Sequence, residues 1–134
     1  MPTPKKSSEM DSLLVEIIND QDRFYMLEEF LSDVKHYDMD NLAFYVKVME
    51  FKKESSLSNS ALAAGLIIDN YLSEDADYYI GNTIDDEAVI EKLITNYECA
   101  VLNQLPTPKD LFEDITQKVR DELMPLLREF NRIR

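Results

Sequence analysis

The stretch Met39–Lys53, MDNLAFYVKVMEFKK, decides the fold of this chain. Between Leu42 and Phe51 eight of ten positions are apolar or aromatic, interrupted only by Lys47 and Glu50. Leu42, Tyr45 and Met49 recur on one helical face and Phe44, Val48 and Phe51 on another, so the spacing is that of an α-helix whose apolar surface runs almost all the way round. Such a helix belongs in the middle of a bundle. Asp38 or Asp40 is placed to cap its start, and Lys52-Lys53 face the negative end of its dipole.

Working outward, SEMDSLLVEIIND offers Ser8 and Asp11 as a capping pair, then Leu13, Leu14, Ile17 and Ile18 on one face. DRFYMLEEFLSDV repeats the pattern with Phe24, Leu27, Phe30, Leu31 and Val34, and the two helices divide around Asn19 to Gln21. After the polar loop ESSLSNS, Ser58 or Ser60 is placed to cap ALAAGLIIDNYL, whose Ile67, Ile68, Tyr71 and Leu72 form the next stripe. SEDADYYIGNTIDD reads as a connection with one helical turn. Thr83 or Asp85 is placed to cap a long helix with Val89, Leu93, Ile94, Tyr97 and Val101 inward, and Thr107-Pro108 to start a last one carrying Leu111, Phe112, Ile115, Val119 and Leu123. Pro125 is expected to kink or break that last helix. The result is an all-α fold, an irregular multi-helix bundle over residues 9–134 with residues 1–8, MPTPKKSS, as a flexible tail.

Composition narrows the function. The net charge is −13; removing the first eight residues takes away two lysines and leaves 12 basic against 27 acidic residues, a net of −15. From Pro108 to Arg134 the counts balance at six each, so the whole excess lies between Glu9 and Thr107. Such a body repels phosphate backbones and anionic lipid, which argues against nucleic acid and membrane insertion and for a basic protein partner. With one cysteine, Cys99, expected to be a core or semi-buried residue, and no apolar run long enough to span a bilayer, the expectation is a monomeric cytoplasmic domain, brought to a membrane by a partner or by further domains.

Catalytic and metal readings fail on spacing. A calcium loop from Asp38 puts Ala43 where the turn glycine belongs and Met49 where the bidentate glutamate belongs; one from Asp75 puts Ile80 at the glycine position. One cysteine and one histidine, His36, cannot build a zinc site, and His36 reads as a surface residue at a helix end. No serine elbow is present, so no intrinsic catalysis, cofactor or metal is expected. What remain are loops on a rigid frame, YDMDN, YYIGNTID and the turn around Met124-Pro125, where binding residues tend to sit.

The blocks EEFLSD, DNLAFYVKVMEFKK, ALAAGLIIDNYLSEDADYYIGNTID and DLFEDITQKVRDELMPLLREF together resemble the regulator of G-protein signalling (RGS) domain, over roughly Leu13 to Phe130. The resemblance implies a helical bundle that grips the switch loops of a heterotrimeric G-protein α subunit in their transition-state shape and accelerates GTP hydrolysis without proton transfer of its own. It implies partner contacts at Asp40 and Asn41, which fit the family's acidic-Asn pair, at Asn82 and Asp85 in the second loop, and at Arg128 near the end. The chain departs from the family in having Gly81 between Ile80 and Asn82, LMPLLREF in place of an Asp-x-Tyr-x-Arg-Phe turn, and Tyr45 for the usual tryptophan. A domain with the same fold and no activation, similar to those in sorting nexins and scaffold proteins, is the alternative.

Overall fold

The computed structural model describes residues 12–17, 19–34 and 37–133; the tail through residue 11 with Ser8 and Asp11, together with Ile18, His36 and the Val34 side chain, lies outside them. The described residues contain no strand. A helical stretch at 12–17 buries Leu14 and Ile17, and six α-helices follow: α1 (Gln21–Val34), α2 (Tyr37–Lys53), α3 (Leu57–Ile67), α4 (Gly81–Ile84), α5 (Glu87–Leu102) and α6 (Glu113–Ile133). A π-helical turn, Ile68–Leu72, extends α3, with the Ser73 N–H donating to Ile68 O at 3.0 Å.

The apolar girth of Met39–Lys53 has its expected consequence. α2 packs against α1, α3 and α6 at once, and Leu42, Phe44, Tyr45, Val48 and Phe51 are buried, while Lys47, Glu50, Lys52 and Lys53 stay exposed. Full burial of each large apolar side chain contributes about 1.5–3 kcal/mol. Phe112 wedges edge-on between Phe44 and Phe51, with ring centroids 6.1 and 5.4 Å away. Arg120 of α6 is buried; its Nε donates to Tyr45 Oη at 3.3 Å and its guanidinium lies 3.7 Å from Glu113. Tyr45 thus fills the central aromatic position and gives the buried arginine an acceptor.

Helix starts are where the structure departs from local reading. The chain is already helical at Tyr37, so Asp38 and Asp40 lie inside α2 and do not cap it. Ser56, not Ser58 or Ser60, caps α3, its Oγ accepting from the Asn59 N–H at 3.2 Å; Ser60 is buried and its hydroxyl donates to Glu54 O. Asp86, not Thr83 or Asp85, caps α5, accepting from the Ala88 N–H at 3.1 Å. Residues 109–112 form turns, and α6 starts at Glu113 rather than at Thr107-Pro108. The physical reason is Lys109, whose ammonium reaches the carbonyls of Phe51 and Glu54 and the Ser60 hydroxyl, tying this segment to the C-terminal end of α2.

Two burial assignments and the expectation for Pro125 also change. Val101 is exposed because the buried stripe of α5 runs through Ile90, Leu93 and Ala100, one position off. Cys99, next on the helix, is exposed as well. Pro125 does not end α6, which runs unbroken from Glu113 to Ile133 with Pro125 on its exposed side and Met124 and Leu127 buried. Among the described residues no helix is long and apolar enough to cross a membrane.

Candidate functional site

The expected contact residues fall on three segments: the first turns of α2, the α4 turn with the bend after it, and the second half of α6. α6 connects them, since it packs against both α2 and α4. Lys52 Nζ stands 3.6 Å from Glu113 Oε1 and Arg120 meets Tyr45, so α2 and α6 run antiparallel. Carried on at the rise of about 1.5 Å per residue shared by both helices, this register sets Asn41 level with Met124 and Tyr37 level with Arg128.

Asp40 and Asn41 are neighbours with different environments. Asn41 lies on the Phe44–Val48 side of α2 and is 0% exposed, so in this conformation it shapes the end of the bundle from inside. Asp40 is half-buried, and burial pushes its carboxyl pKa above the ordinary value. It lies by Tyr71 of the π-helical turn, whose phenol pKa is raised by burial first and then by Asp40, Tyr78 and Glu50.

The second loop is tied to that turn. The Tyr78 and Ile80 N–H groups donate to Asn70 O and Tyr71 O at 3.1 and 3.0 Å, and Tyr71 packs between Phe44 and Tyr78, with centroids 5.8 and 6.0 Å away. Ile80 and Ile84 are buried and bracket α4, while the Tyr79 ring occupies the space a Cβ on Gly81 would need. Gly81 is thus the residue that lets α4 begin directly under Tyr79. Asn82 belongs to α4 by its backbone; its side chain lies outside the described residues. Asp85 closes α4 in the left-handed conformation, φ 50°, its N–H donating to Gly81 O at 2.7 Å, and its side chain is exposed. Arg128 is exposed on α6.

The structure therefore gathers the α2 start and the second half of α6 at one end of the bundle, with Arg128 on its surface and Asn41 inside it, while Asp85 is exposed just after α4, which α6 also contacts. Sequence reading did not single out Arg120, Tyr71 and Tyr78 as neighbours of these positions. Tyr78 had a signal, an aromatic in an acidic irregular segment, but its pairing with Tyr71 depends on the chain doubling back after Leu72. Among the described residues no three His, Cys, Asp or Glu side chains stand together as a metal site would need.

A comparison with curated proteins finds no match. The sequence model of one family, described as Regulator of G protein signaling domain, matches residues 14–125, from the first described helical stretch to Pro125 in α6.

Proposed function

The chain belongs to the regulator of G protein signaling domain family, and from that premise we propose that it binds the switch segments of a heterotrimeric G-protein α subunit and accelerates GTP hydrolysis there. The observation that carries this reading is the antiparallel register of α2 and α6, which brings Asp40 and the Arg128 region to one end of a rigid bundle that also carries α4. In this reading the domain transfers no proton. The α subunit's own glutamine and arginine do the chemistry, and this surface holds the switch loops in their transition-state shape. Two contacts of about 1.5 kcal/mol each, made only in that shape, are enough for an acceleration of over about a hundredfold.

The burial of Asn41 favours a second reading, a domain of the same fold that holds a partner without activating it, as in scaffolding or trafficking. Single-turnover GTP hydrolysis by a panel of α subunits, with and without the chain, separates the two. Acceleration together with binding to the GDP–aluminium fluoride state is the expected result; binding without acceleration selects the second reading, and neither binding nor acceleration sinks the first. Asp85→Asn and Arg128→Gln are the informative variants. Asparagine tolerates the left-handed backbone at position 85, so both should weaken α-subunit binding with little change in Tm.

A further inference from the structure

Along the outer side of α2 runs a groove that starts at Asp40, which it shares with the end of the bundle discussed above, and leads away from that end towards Glu54. Its floor is the half-buried side of the helix at Ala43 and Val46, one wall is α1 at Phe24 and Glu28, and the other is Tyr71 with Tyr78 and, further along, Leu66. Two hollows of about 400 and 210 Å³ meet at Lys47, Glu50 and Tyr71 to make it continuous. Its rim is apolar where it opens to solvent: Tyr78 is 50% and Leu66 52% exposed. Four carboxylates line it, Glu28, Asp40, Glu50 and Glu54, against one ammonium, Lys47, which stands 3.6 Å from Glu50. Among the described residues neither Glu28 nor Asp40 has an ion-pair partner. From Met39 to Glu54 the floor is about 22 Å long, or four turns of a helical ligand.

An apolar trough walled by four carboxylates against one ammonium discriminates by charge: it repels phosphate, acidic peptides and a second copy of this acidic chain, and it attracts cations carried on an apolar face. The burial that pushes up the Asp40 carboxyl, and the further rise that Asp40 and Glu50 impose on the buried Tyr71 phenol, are charge costs that an incoming cation relieves. We infer that this groove docks a lysine- or arginine-rich amphipathic segment of another protein, with apolar side chains on Ala43, Val46 and Tyr71 and cations against Glu28, Asp40 and Glu50.

The test is calorimetric titration of the full chain with a Leu/Lys amphipathic peptide of about 18 residues, long enough to hold a helix, and with its Leu/Glu counterpart. Two variants of equal charge are titrated alongside: Glu28→Lys/Glu50→Lys in the groove, and Glu91→Lys/Glu98→Lys on the exposed side of α5. The Leu/Lys peptide should bind and the Leu/Glu peptide should not. The groove variant should weaken binding about tenfold or more and the α5 variant less than about threefold, because the latter alters only the screened long-range field. Equal losses in the two variants, comparable binding of the Leu/Glu peptide, or no binding of the Leu/Lys peptide overturns the proposal. Amide shift mapping on the unsubstituted chain is independent of whether a variant folds: shifts over residues 39–50 and 66–78 support the groove, and shifts confined to residues 87–102 refute it. Asp40 is shared with the face assigned to the α subunit, but the substituted Glu28 and Glu50 lie outside that face, so this test and the GTPase assay can fail separately.

Discussion

At Asp40 the proposed recognition role comes at the expense of stability. Its carboxyl is half-buried among α2, Tyr71 and Phe24, and its pKa is raised above the reference value of 3.8. A raised carboxyl pKa means that the folded state binds the proton more tightly than the unfolded chain, so this group's contribution to stability falls as pH rises from the reference value through the folded value. At neutral pH the charge opposes folding. Asp40→Asn should therefore raise Tm at pH 7, the gain should shrink as pH falls towards the reference value, and affinity for a cationic partner should drop. Thermal melts of the two chains from acid to neutral pH check the sign; a gain that grows on acidification refutes it. Asn41 presents the complementary case, a polar residue of the expected contact pair with 0% exposure. Nothing in the letters DN distinguishes these two fates. They follow from a rotation of about 100° between successive helix positions, which turns one residue to the rim and its neighbour to the core.

Elements meet through a few residues that local periodicity does not mark. α3 and α5 approach at Gly65, where a Cβ would lie 2.7 Å from Tyr97 Oη, and that hydroxyl donates to Ala61 O at 3.2 Å. Gly65→Ala should therefore destabilise the domain by about 1–3 kcal/mol through overpacking, in spite of the better helix propensity of alanine. Tyr97→Phe should relieve most of that loss, because the next ring atom is 3.5 Å from the added methyl, an ordinary contact. A double-mutant cycle by urea denaturation measures it, and strict additivity would rule out the clash. The C-terminal end of α5 follows the same logic: Gln104 turns left-handed at φ 55° so that the Leu105 and Gln104 N–H groups can reach Ala100 O and Val101 O, a closure more often made with glycine. α6 runs on through Pro125, whose ring faces solvent while Met124 and Leu127 hold the helix to the core. Burial on both sides of the proline outweighs a helix penalty of about 3 kcal/mol.

At the scale of the whole molecule, a net charge of −13 concentrated before Thr107 makes self-repulsion a general tax on the fold and a selector of partners. Raising salt from about 0.05 to 0.5 M should raise Tm, since the Debye length shrinks to a few ångströms and the repulsion is screened; a fall in Tm would mean that attractive pairs such as Lys52–Glu113 and Arg120–Glu113 dominate instead. The all-helical class and the central place of Met39–Lys53 were legible in the sequence, because 3.6-residue spacing of apolar side chains is a local property that survives in any packing; the division around Asn19 to Gln21 and the helical turn in YYIGNTID were legible from the residues that interrupt that spacing, and the family from the resemblance of its motif blocks. The helix starts were not, since several Ser, Thr and Asp residues lay within reach of each cap and only the settled backbone selects Ser56 and Asp86. Tertiary structure alone decided that Asn41, Thr107 and Arg120 go inside, that Cys99 and Val101 stay out, and that Lys109 ties the approach to α6 back onto α2. Each of these depends on which surface arrives from a distant part of the chain, and no window of neighbouring residues carries that information.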